Sequence, residues 1–472
     1  MIQRTRRPTN SYYVAGFALL LGVALLTACG VRVSPEPTAM PELPTPTMLP
    51  SPTPVPTSTP TPTPVPPKEL TICQAQEPNT LFIYGGPSRA ARNVLDAVYD
   101  GPVDVRNYAF EPVILERMPS LEGGDAALRT VTAVEGDTVV DVHGGVVDLA
   151  PDVSVRNADG VEVVFGASPV TMTAMVVTYT LRPEVTWADG EPLTADDSRF
   201  SFELAGQLDD PALQRRLERT VDYEVVDAHT VVWTGVPGHV DTYYPLNFYH
   251  PLPEHVLGST DIERLLEMDV AQHRPLGWGP FVVESWTEGE RISLVRNSHY
   301  FRAAEGLPHL DRVIYRFISD PEEAVEELMA GRCDVLGEDL MELGGAPILA
   351  EVADEEGVQL VSGTSSEWEH LDFGIQPPAW SSWVSLFGER RTRQAVARCV
   401  DRERVAAEAF PLREASVAES YVPASHPLFA GNDLHRWPYD PAAGLAALEE
   451  IGWVDTDGDG LLEAQTVPGV AQ

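Results

Sequence analysis

The sequence predicts a mixed α/β fold, and three observations carry that reading. In "VVTYTLRPEVTWADGEPLTADDSRFSFEL", Val177, Tyr179 and Leu181 alternate with Thr178 and Thr180, the period-two signature of a half-buried strand. A helix grammar then appears twice. In "SDPEEAVEELMAGRCDVL", Asp320 stands as N-cap with Pro321 at the first helical position, Val325, Leu328 and Met329 form the apolar face, and Gly331 is the stop. "YDPAAGLAALEEIGW" repeats the grammar with Asp440, Pro441, Leu445, Leu448 and Gly452. Finally, strands and helices alternate with good punctuation along residues 68–472, a length that exceeds what one hydrophobic core serves.

The chain opens with Arg4, Arg6 and Arg7, followed by an apolar run from Val14 to Leu26 and small residues before Cys29. This is the pattern of a secretory signal. The run of about 13 residues is short for a membrane span, which needs roughly 20. Leu26-Thr27-Ala28-Cys29 resembles the lipobox of bacterial lipoproteins, which implies cleavage before Cys29 and lipid attachment to its sulfur. Residues 30–67 are dominated by Pro, Thr and Ser; they cannot bury a core and favour an extended polyproline path. At ~3.1 Å per residue such a spacer reaches on the order of 100 Å.

The formal net charge is −39, from 71 acidic residues against 32 basic ones, and Lys68 is the single lysine. Phosphate binding needs a basic stripe, so nucleic acid is excluded as the expected partner. With Cys29 assigned to lipid, Cys73, Cys333 and Cys399 remain, which allows one disulfide with one free thiol or three buried thiols. No cysteine or histidine cluster has zinc-ligand spacing. The sequence contains no Gly-x-Ser-x-Gly, His-Glu-x-x-His or phosphate-binding loop, and no enzyme activity is expected.

Within the folded part, Asp189-Gly190 reads as a turn, and Thr194 as the cap of a helix with Asp196 and Asp197 in its acidic first turn. "GWGPF" at Gly277–Phe281 lacks the third glycine of a dinucleotide fingerprint and reads as a tight turn where chain segments cross. "RTRQAVARCVDRERVAAEAF" reads as two short helices broken near Asp401.

Taken in order, these segments resemble the extracellular solute-binding proteins of family 5, the oligopeptide-, dipeptide- and nickel-binding components of ABC importers. The most specific stretch is Val177–Leu204, with its strand, Trp-x-Asp-Gly turn and Thr-Ala-x-Asp helix start. Supporting stretches are Gly277–Phe301, Leu307–Asp320, Glu367–Ile375, Arg390–Val405 and the "YDPAAGLAALEEIGW" helix. The resemblance implies a type II, two-lobe periplasmic-binding-protein-like fold with an extra subdomain in the first lobe. Residues 68–100 and 226–335 would form lobe I, 101–225 the extra subdomain, and 336–472 lobe II. Family members continue well beyond the last helix, so lobe II is expected to be truncated.

The resemblance also implies the function: a lipid-anchored, extracytoplasmic and monomeric receptor. It would capture a small solute, most often a peptide, between its lobes and deliver it to an ABC permease. Nickel complexes, opines and oligosaccharides stay open as ligands. A tethered surface hydrolase using a carboxylate pair, or a degenerate receptor that binds nothing, are the alternatives. Trp187 would either pack between lobe and subdomain or line the cleft. Trp368 and His370, in "EWEHLDFGI", lie on the segment that runs along the family's cleft. Asp433 sits where oligopeptide binders place an aspartate for the ligand's ammonium group, and its plainer reading is a solvated loop residue. "DTDGDGLLE" puts Asp455, Asp457 and Asp459 at positions 1, 3 and 5 of a calcium-loop pattern, with Glu463 at position 9 and Thr466 where the closing glutamate belongs. That loop reads first as an acidic surface turn and second as a weak calcium site.

Overall fold

The computed structural model describes residues 66–340 (167 excepted), 348, 352, 357–361, 368, 370–375, 386–409 and 417–465. Cys29, the leader and the spacer up to residue 65 lie outside the described residues, as does Thr466. Among the described residues, no helix is long and apolar enough to cross a membrane.

The N-terminal body is built on two sheets. Strand β1 (Glu69–Gln74) leads into helix α1 (Arg89–Val98) and then a separate two-stranded hairpin, β2 (Val103–Arg106) with β3 (Ala109–Pro112). A four-stranded antiparallel sheet follows. Its first pair is β4 (Ala126–Ala133) against the long β9 (Val170–Thr180), with two small hairpins between them, β5–β6 (Thr138–Val140, Val146–Asp148) and β7–β8 (Ser154–Arg156, Glu162–Val164). Helices α2 (Ala195–Ala205) and α3 (Pro211–Glu218) precede β10 (Thr220–Asp227) and β11 (Thr230–Gly235), giving the order β10-β11-β9-β4. Single-turn helices then lead to β12 (Phe281–Thr287), β13 (Arg291–Arg296) and β14 (Arg312–Phe317). Helix α4 (Pro321–Met329) returns the chain to β15 (Val335–Leu336).

The second sheet has the order β12-β13-β14-β1-β15, so the first strand of the body sits between two strands made more than 230 residues later. Both of its neighbours are parallel to it, which requires crossover connections. Cys73 in β1 is bonded to Cys333 just before β15, and among the described residues Cys399 is the free thiol. A single apolar cluster joins residues of both sheets, from Leu81 through Val177 and Trp233 to Trp278 and Val313. Residue 226, where a border was expected, lies within β10, which pairs with β11.

The helix grammar is borne out. Asp320 accepts hydrogen bonds from the Glu322 and Glu323 amides at the start of α4, and Asp440 accepts one from Ala443 at the start of the last helix. The apolar faces are corrected in detail. Met329 is exposed while Ala324 and Val325 are buried, and in the last helix Leu445 is exposed while Gly444 and Leu448 are buried.

Within α4, Glu327 accepts bonds from Arg332 (2.5 and 2.8 Å) and from Arg316 (2.7 Å). These bonds, Arg332 first and Arg316 second, hold its carboxyl down from the usual 4.5 to about 2. A depressed carboxylate contributes stability that is present above its unfolded value and lost as pH falls through the folded one. The stability gap between wild type and Glu327→Gln is therefore expected to be constant above pH 5 and to close between about 4.5 and 2 in urea titrations. A gap independent of pH would refute this role.

The C-terminal part supplies α5 (Arg390–Cys399), α6 (Arg402–Ala409), α7 (Pro441–Glu450) and a small ribbon pairing β16 (Trp453–Val454) with β17 (Glu463–Ala464). The break expected near Asp401 separates α5 from α6. Ala395, Leu448 and Ile451 form the apolar contact between α5 and α7.

Candidate functional site

The first candidate, Trp187, for which the sequence leaves packing and cleft lining both open, lies in the core. It is 0% exposed, its ring lies 5.5 Å from that of Trp278, and its indole N–H donates to Asp197 at 3.2 Å. Its surroundings are those of a core residue, not of a groove wall. The neighbouring Asp189-Gly190 turn is as expected, with Gly190 at φ +96°. Trp278 comes from the "GWGPF" turn, which passes directly under the end of α1. A Cβ on Gly277 would lie 2.2 Å from the Val98 carbonyl oxygen, and one on Gly279 2.5 Å from it. Gly279 N–H donates to that same oxygen at 2.8 Å. Only glycine admits so close a backbone approach, and the turn serves packing, as its sequence suggested.

Trp368 and His370 do come together at the surface. Their rings are 4.4 Å apart, and Trp368 is 40% exposed, high for the largest apolar side chain. Tyr421 joins them, its ring edge-on to Trp368 at 5.1 Å and 77% exposed. His370 also reaches Asp372 at 3.1 Å. The result is an exposed aromatic edge with an acidic flank. The segment that carries Tyr421 is tied to α6 through Glu419, and the following stretch to α5 and α6. Arg402 donates to Glu419 (3.2 Å) and to the Trp437 carbonyl (2.7 Å), Asp440 N–H donates to the Arg398 carbonyl, and the Arg398 guanidinium lies over the Trp437 ring at 5.6 Å. Tyr421 was not legible in the sequence, because it stands 53 positions from Trp368 in a proline-containing loop with no periodic signal.

Asp433 lies in a single 3-10 turn (Gly431–Asp433) and is exposed, as a solvated loop aspartate would be. The acidic loop brings one carboxylate oxygen each of Asp455, Asp457 and Asp459 within 4.8 Å of one another, a set able to hold a hard cation. Glu463 is turned elsewhere, accepting from the Thr456 amide (2.9 Å) and hydroxyl (2.6 Å). Asp455 also accepts from the Gly458 and Gly460 amides, so the loop is closed by its own backbone, in keeping with the acidic-turn reading. Cavities of about 490 Å³ beside Tyr84 and Gln272 and about 330 Å³ beside Asp100 and Arg302 lie in the N-terminal body.

The fold is that of a two-lobe binding protein. It is similar to an oligopeptide-binding protein from Thermotoga maritima (TM-score 0.58, 19% identity, covering 85% of this chain and 66% of that one). It is likewise similar to the oligopeptide-binding protein AppA of Bacillus subtilis in complex with a nonapeptide (TM-score 0.52, 20% identity, 85% and 68%). In sequence, AppA is 28% identical over 299 residues, 60% of this chain and 50% of AppA. A putative ABC transporter peptide-binding protein of Brucella ovis is 26% identical over 292 residues, with the same coverage. The chain belongs to the bacterial extracellular solute-binding proteins, family 5, whose pattern matches residues 170–470. That is a family of binding proteins and not of enzymes. The chain spans about half the length of the curated relatives it matches.

Proposed function

We propose that this protein captures a solute, a peptide in the first instance, along the aromatic edge of Trp368, His370 and Tyr421, and delivers it to an ABC permease. The observation that carries this reading is the family match over residues 170–470, supported by relatives named as peptide-binding proteins. The exposed edge suits the role. Flat aromatic faces offer large contact area at little conformational cost, and an extended backbone beside them can accept a peptide as an added strand. Ligand contact with both lobes favours the closed population, which makes capture and release a population shift. The lipobox-like Cys29 and the Pro/Thr-rich spacer support attachment to the outer face of the membrane, with the folded part free to move between solute and permease.

The test is a thermal-shift and calorimetry screen of the full chain, extracted in detergent, against defined nonapeptides, nickel–histidine and mannohexaose. Peptide at 100 times its dissociation constant is expected to stabilise the fold by about 2.7 kcal/mol, and Trp368→Ala to weaken that binding at least tenfold. Silence towards every nonapeptide would overturn the peptide reading. Absence of an acyl adduct on Cys29 in the mass spectrum of the mature protein would overturn the anchor.

A further inference from the structure

The β2–β3 hairpin stands apart from both sheets, and a lone two-stranded hairpin is marginal in water. Its middle is exposed, with Val105 at 66%. Arg106 pairs with Ala109, leaving Asn107 and Tyr108 as a two-residue loop. Both adopt positive φ, +50° and +64°. Hairpin loops of this kind favour glycine at the second position, because a side chain there crowds the backbone. A tyrosine held in that conformation needs a compensating contact.

The contact is on the far half of the chain. The Tyr108 ring lies 4.6 Å from the His426 ring, and its hydroxyl is 3.1 Å from the Ser425 Oγ. The receiving turn is closed by its own hydrogen bonds. His426 N–H donates to the Pro423 carbonyl, Phe429 N–H donates to the His426 carbonyl, and the His426 Nδ1 accepts from the Leu428 amide at 3.1 Å. Burial marks the same two residues. Tyr108 and His426 are half-buried, while Asn107, Ala109, Ser425 and Pro427 beside them are exposed.

We propose that the β2–β3 hairpin is a strap whose Tyr108 tip clasps the Pro423–Phe429 turn, and that seating or release of this tip sets how firmly the C-terminal half is held to the N-terminal body. The left-handed backbone of Tyr108 costs free energy that its contact with the turn must offset, which lowers the net hold of the clasp. The clasp is independent of which solute is carried, and its test contains none.

Hydrogen exchange on the full chain reads each side of the clasp with a change made on the other. Tyr108→Gly suits the left-handed loop and leaves the hairpin able to form; it is expected to speed exchange in peptides covering 417–429 by about threefold or more. His426→Ala leaves the hairpin sequence intact and is expected to speed exchange in peptides covering 103–112 by a similar factor. The double variant should exchange no faster at either place than the corresponding single one. Unchanged exchange on the far side in both variants, or additive effects in the double variant, would overturn the clasp. A protein that binds no peptide but shows this reciprocal loosening would leave the clasp standing and remove only the transport reading.

Discussion

Asp197→Ala is expected to lower the stability of the N-terminal body by on the order of 4 kcal/mol, read as a fall of about 5 °C in the melting midpoint. The carboxylate is 4% exposed and gathers donors from three directions. Its Oδ2 accepts from the Trp187 indole (3.2 Å), the Thr194 amide (2.8 Å) and, at 3.5 Å, the Thr194 hydroxyl; its Oδ1 accepts from the Glu254 amide (3.0 Å). Burial pushes its pKa up, and the backbone bonds from Thr194 and Glu254 pull against that. Alanine would leave an indole N–H and two backbone N–H groups without their acceptor, each unsatisfied group costing about 1–3 kcal/mol. Asp197→Asn keeps an oxygen and should lose about half as much. A midpoint for Asp197→Ala within about 1 °C of wild type would mean that water replaces the carboxylate.

Cys73→Ala/Cys333→Ala is expected to cost on the order of 5 kcal/mol, or about 6 °C. The bond closes a separation of 260 residues, and in the chain-entropy account a longer closed loop removes more freedom from the unfolded state. Both sulfurs are buried among Ala75, Ile318, Ala324 and Leu340, so the alanine variant also loses packing. Cys399 provides the control. It is half-buried beside Gly444, with its thiol pKa raised by burial, and Cys399→Ser should shift the midpoint by about 1 °C or less. An alanine pair melting with wild type would show that the unfolded chain is already compact enough for the link to add nothing.

What could be read from the sequence was local. The Asp-Pro helix starts, the break before α6 and the Asp189-Gly190 turn all depend on neighbours within a few positions, and all are present. The errors at Met329 and Leu445 share a cause: periodicity places a residue on the apolar stripe but does not say how far the covering partner extends. Asp197 was legible as a first-turn acid and illegible as an acceptor for Trp187 and Glu254, because the Glu254 amide arrives from 57 positions away. The same holds for Tyr421 beside Trp368, for the choice of Cys333 over Cys399 as the partner of Cys73, and for β1 lying between β14 and β15. Each is a pairing of distant segments, which composition and spacing do not encode.

The covalent link between β1 and the approach to β15 bears on survival of proteolytic attack. A single nick in any exposed loop between residues 74 and 332 leaves two fragments that still share a sulfur–sulfur bond, with the first strand still seated mid-sheet. Such a clipped molecule would run as one band on a gel until reductant is added, and as two afterwards.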